Sequence, residues 1–130
     1  CQLDEEGKTI VKWLGSEAEL DLSSDPAFSA IETIGSKAFA NCRDLKTIIL
    51  PEKTTNIEGG AFYNCISLKK IEIPKGVSAV YTKVFSDCRS LEDIVFLGNI
   101  VEISDSAFES CEKHKTIKFP NSLEKIDRYL

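Results

Sequence analysis

The 130-residue chain is 42% hydrophobic and 28% charged, which excludes a disordered polypeptide and fits one domain of ordinary size. Its formal charge of −5, from 16 basic and 21 acidic residues, argues against nucleic acid as a partner, because phosphate binding needs a basic patch. No apolar run approaches the roughly 20 residues that a membrane helix requires, and the opening Cys1-Gln2-Leu3-Asp4-Glu5-Glu6 is not a basic-then-apolar leader.

In chain order, residues 9–13 (Thr-Ile-Val-Lys-Trp) form a strand, Gly15-Ser16 a turn and Leu20-Asp21-Leu22 a second strand, which starts the strand ladder because Leu20 and Leu22 sit where Ile48 and Leu50 sit. Residues 1–30 are therefore expected to make an N-terminal strand-hairpin cap over an open core, with Trp13 sealing it rather than stacking on a ligand. Ser23-Ser24-Asp25-Pro26 is a loop. Cys1 is either a lipid-attachment residue or simply where the chain starts.

From residue 31 onward the chain repeats. Ala38-Phe39-Ala40-Asn41-Cys42 returns as Ala61-Phe62-Tyr63-Asn64-Cys65, Val84-Phe85-Ser86-Asp87-Cys88 and Ala107-Phe108-Glu109-Ser110-Cys111, each 23 residues after the last. Ile48, Ile71, Ile94 and Ile117 keep the same step, as do Leu50, Ile73, Phe96 and Phe119, and Ile34, Ile57, Val80, Ile103 and Ile126. A fourth row, Leu45, Leu68 and Leu91, is broken by His114, which is read as a tolerated edge residue. A period of this length in strict register specifies a solenoid, whose units hide their apolar faces only against one another. Residues 31–130 make four units and a partial fifth, which either Tyr129 and Leu130 seal or a longer chain continues.

Within each unit, Ile48-Ile49-Leu50 shows the alternation of a strand with one buried face. Pro51, Pro74 and Pro120 end the strands because proline lacks an N–H. Leu97-Gly98 stands at that place in one unit, so its strand exit should differ. Ser36, Gly59, Thr82 and Asp105 suit a helix N-cap, which predicts a short helical turn around each Phe. Asn41, Asn64, Asp87 and Ser110 are placed to satisfy free backbone groups at that turn. Ala38, Ala61 and Ala107 permit close backbone approach, and Val84 in their row should be tight.

Five cysteines and one histidine contain no C-x-x-C and no histidine pair, so no metal site is expected. Cys42, Cys65, Cys88 and Cys111 should point into the core as free thiols. Parallel neighbours hold their Cβ atoms about 4.8 Å apart, wider than the roughly 3.5–4.5 Å of a disulfide. Lys113-His114-Lys115 with Lys118 reads as a solvated face.

The run Ile34-Gly35-x-x-Ala38-Phe39-x-Asn41-Cys42-x-x-Leu45-x-x-Ile48-x-Leu50-Pro51 and its successors resemble the BspA-like bacterial leucine-rich repeats. The resemblance implies an α/β, right-handed leucine-rich-repeat solenoid. In this short horseshoe, parallel strands line the concave face and short helical turns lie opposite. It also implies a secreted or cell-surface protein-binding module that mediates bacterial adhesion or contact with a host extracellular protein; the alternative is a structural spacer within a larger surface protein. In that geometry Thr47, Ile49, Lys70, Glu72, Asp93, Val95, Thr116 and Lys118 point away from the core and form the candidate binding face, with Ile49 and Val95 as exposed apolar anchors. No nucleophile–base pair or phosphate-binding glycine loop stands out, so no catalytic residue and no cofactor are expected.

Overall fold

The computed structural model describes residues 1–113 and 117–126 of the chain. His114 and Thr116, and the closing Tyr129 and Leu130, lie outside the described residues.

The chain winds as a β-solenoid of about four turns. One face of each coil is a strand of three or four residues: β3 (Glu19–Asp21), β5 (Thr47–Ile49), β7 (Lys70–Ile73) and β9 (Asp93–Phe96). They form a single parallel sheet in the order β3-β5-β7-β9, with Leu20 opposite Ile48, Ile48 opposite Ile71 and Ile71 opposite Ile94. Side chains alternate across a strand, so this register stacks every inward Ile on the next.

A second face carries shorter strands that the periodicity alone did not distinguish from turns. β4 (Thr33–Ile34), β6 (Asn56–Ile57), β8 (Ala79–Val80), β10 (Glu102–Ile103) and β11 (Lys125–Ile126) are two residues each. They hold the Ile34, Ile57, Val80 and Ile103 row in the core. This second ladder is split, because β6 and β8 belong to different sheets. The split falls at the junction where Val84 replaces alanine. There the ring centroids of Phe62 and Phe85 lie 5.7 Å apart, against 5.1 Å and 5.3 Å at the neighbouring steps.

The N-terminal segment differs from the hairpin expected of it. The second strand expected there is β3, and it does not pair with β2 (Thr9–Lys12). β2 joins the second ladder beside β4, while β3 starts the first, as the alignment of Leu20 and Leu22 with Ile48 and Leu50 predicts. The hairpin is instead made by β1 (Gln2–Leu3), antiparallel to β2, around a turn where the Asp4 carboxylate accepts from the N–H of Lys8 (2.9 Å) and Thr9 (3.0 Å). Trp13 stacks on Phe39 at 5.5 Å and 19°, which extends the Phe39–Phe62–Phe85–Phe108 column by one ring. Phe28, buried beneath it, ends a 3₁₀ turn (Pro26–Phe28) capped by the Asp25 carboxylate.

The helical turns expected opposite the strands are absent among the described residues, where the Pro26–Phe28 turn is the sole helix. The backbone explains the correction. Lys37, Gly60, Lys83 and Ser106 adopt φ of 57–69°, and Asn41, Asn64, Asp87 and Ser110 adopt φ of 58–63°. Two left-handed residues four apart leave room for one turn only, and helices do not propagate through them. The N–H groups of Phe39 and Asn41 donate across the solenoid to Ala61 and Tyr63 carbonyls (2.8 Å each), not back along their own coil. Phe62, Asn64, Phe85 and Asp87 repeat this pattern, which makes a third inter-coil ladder. Ser36 is no N-cap: its hydroxyl donates to the Gly59 carbonyl of the next coil (3.1 Å).

Candidate protein-binding face

Each strand of the β3-β5-β7-β9 sheet buries one alternate set of side chains and presents the other to solvent. The outward set makes two rows. Glu19, Thr47, Lys70 and Asp93 face one another along the first; Asp21, Ile49, Glu72 and Val95 along the second. Of the residues singled out from the sequence, Thr47, Ile49, Lys70, Glu72, Asp93 and Val95 therefore come together on one surface. Lys118 is exposed, and Thr116 lies outside the described residues.

The exposures refine the expectation. Ile49 and Val95 are half-buried, each beside Glu72 in the middle strand, and neither stands free as an exposed anchor. The large apolar side chains that do stand in solvent include Leu97, 56% exposed, at the exit of β9. Lys70 and Asp93 approach to 3.9 Å across β7 and β9, and Lys113 and Glu92 to 3.1 Å. All four are about half exposed, so these pairs set local charge more than they stabilise the fold. Glu72 lies opposite Val95, not beside Asp93, so no carboxylate pair forms there.

Glu19 belongs to the first row and Asp21 to the second, and sequence reasoning left them out of the face. The signal was present: Leu20 and Leu22 align with Ile48 and Leu50, which places Glu19 and Asp21 beside Thr47 and Ile49. The Ser23 hydroxyl, then backbone and Ser24 hydrogen bonds, hold the Asp21 carboxyl below the usual carboxylate range.

The cysteines serve the interior. Cys65, Cys88 and Cys111 are buried, and each thiol donates to the carbonyl of the Phe in the preceding coil: Phe39 (3.0 Å), Phe62 (3.2 Å) and Phe85 (2.9 Å). Cys42 departs from the expected buried ladder and is half-buried, because residues 14–17 before it do not form a Phe turn. Burial pushes the Cys42 thiol up to about 11 and that of Cys111 up to about 12. The Cys88 thiol is raised by its hydrogen bond with Cys65 and by burial. Thiols held protonated at neutral pH are poor nucleophiles and poor metal ligands. No group of three or more His, Cys, Asp or Glu is set to hold a metal ion among the described residues. No helix among them is long and apolar enough to cross a membrane.

A profile described as a BspA type leucine-rich repeat region matches residues 21–130 in six copies. The chain belongs to the BspA-type leucine-rich repeat family. This BspA-type array is similar to a leucine-rich repeat protein from Bacteroides ovatus, at 30% identity and TM-score 0.65, over 74% of this chain and 25% of that one. It is similar to the T. pallidum leucine-rich repeat protein at 28% identity and TM-score 0.77, over 96% of this chain and 59% of that one. A leucine-rich repeat protein from Eubacterium ventriosum shares the fold at 16% identity and TM-score 0.54, over 95% of this chain and 45% of that one. The array thus spans between a quarter and three-fifths of these solved chains. No curated protein matches it. The family and these structures indicate a repeat module and no enzymatic family.

Proposed function

We propose that this array is a protein-binding module of a secreted or cell-surface bacterial protein, acting in adhesion or in contact with a host extracellular protein through the β3-β5-β7-β9 face. One observation carries the reading. Four strands in strict register present two continuous rows of outward side chains that the core does not use, mixed in charge and interleaved with half-buried Ile49 and Val95. Such a surface suits a polypeptide partner, since binding patches combine apolar contact with polar rims. In this reading residues 1–30 cap the array, and residues 31–130 carry it.

A pull-down from solubilised extracellular matrix with the wild type and with Ile49→Asp/Val95→Asp tests the face. The double variant should recover less of any captured protein. Equal recovery of every partner by both forms would remove the face from the mechanism. The second reading, a spacer segment, draws on the relatives: each solved chain extends well beyond the length matched here. A wild type that captures nothing favours the spacer.

A further inference from the structure

The strand face does not end at its last strand. A hollow of about 480 Å³ opens between Glu19, Asp21, Ile49, Lys70 and Glu72. A smaller one of about 100 Å³ shares Ile49 and Glu72 with it and continues to Pro74 and Leu97. A third, of about 350 Å³, shares Pro74 and Leu97 with the second and runs out between Lys53 and Lys75. The three hollows adjoin through the residues they share, and together they lead from the sheet to the strand exit as one grooved surface.

Leu97 makes that path. Where Pro51 and Pro74 turn the chain inward as buried residues, Leu97 has an N–H and uses it to bond the Ile73 carbonyl at 3.0 Å. Its side chain is thereby fixed in solvent at the groove's far end. Ile49, half-buried, and Leu97, exposed, supply apolar surface along the course. Carboxylates flank it: Glu19 and Asp21 at the β3 end, Glu72 in the middle, Glu52 beyond. Lys70, the one cation among the described residues that line the first hollow, lies 3.9 Å from Asp93.

We propose that this groove takes one extended polypeptide segment of a partner, in which lysine or arginine alternates with apolar residues. The proposal rests on the protein-binding reading above and names the chemistry of the partner. An extended chain turns successive side chains to opposite sides, so apolar residues meet the floor while basic ones reach the carboxylates. From β3 to β9 is three strand spacings, about 14 Å, which about four extended residues cover. Lys53 and Lys75 at the far end set the limit of the basic stretch.

The test uses the full chain and a fluorescein-labelled heptapeptide alternating Lys and Leu, followed by anisotropy. Controls are the Glu/Leu heptapeptide and a peptide of the same Lys/Leu composition in two blocks. The alternating basic peptide should bind at least tenfold more tightly than either control. Leu97→Ser and Glu72→Lys should each weaken it about tenfold, and Glu109→Lys, exposed on the turn around Phe108 and away from the groove, should leave it unchanged; melting curves check that each variant is folded. Equal binding of the three peptides, or indifference to Leu97→Ser and Glu72→Lys, overturns the proposal. If Ile49→Asp/Val95→Asp loses captured protein while Leu97→Ser has no effect on the peptide, the groove is wrong and the strand face survives. If neither responds, both readings fall together.

Discussion

A single hydroxyl shows how much one residue matters in a stacked core. Thr54 is fully buried, and its Oγ1 has no hydrogen-bond partner. It occupies a column with Ile31, Val77 and Ile100, each 23 residues from the next and all buried. A buried donor left unpaired costs about 1–3 kcal/mol, and valine fits the same place in the Val77 coil. Thr54→Val should therefore raise the unfolding free energy by about 1 kcal/mol or more in urea titration. An unchanged or lowered midpoint would mean the hydroxyl is satisfied in solution. The same threonine hid the column in the sequence, because one polar residue interrupts an otherwise apolar row. The Phe and Cys rows were legible because every member is of one type.

At the scale of the element, the Leu97-Gly98 pair explains itself only in three dimensions. After β5 and β7 a proline ends the strand, and the residue that follows it carries a side chain, Glu52 or Lys75. Here the extra N–H rung from Leu97 draws the exit against the preceding coil, where a Cβ on residue 98 would overlap the Lys75 backbone carbonyl. Gly98→Ala should destabilise by about 1–3 kcal/mol, the usual cost of overpacking a position that cannot yield. A melting temperature equal to wild type would show that the exit relaxes freely. The sequence marked this exit as different but held no hint that it would open a groove. The turns around each Phe were legible as turns, yet not as non-helical. Ser, Asn and Asp suit both an N-cap and a left-handed corner, and only the paired positive φ values separate the two.

For the molecule as a whole, stability is a chain of nearest-neighbour interfaces. Trp13, Phe39, Phe62, Phe85 and Phe108 form one continuous stack with centroid steps of 5.1–5.7 Å, and Phe119 closes it edge-on at 78°. Phe85 is fully buried with a ring on either side, whereas Trp13 is half-buried at an end. Phe85→Ala should cost about 3–5 kcal/mol, and Trp13→Ala less, since Trp13 is half-buried at the end of the stack and withdraws less apolar surface from water. Equal losses for the two, measured by chemical denaturation, would contradict a linear stack.

The amino-acid sequence alone determined the period, the inward columns and the parallel register, because a strict 23-residue repeat leaves each unit no surface but its neighbour's on which to hide. Tertiary structure decided the rest. It put β2 beside β4 in a second ladder, turned the expected helices into left-handed corners whose N–H groups reach the next coil, and left Leu97 in solvent at the strand exit. Those outcomes depend on hydrogen bonds and contacts between coils about 23 residues apart, and no local propensity encodes them.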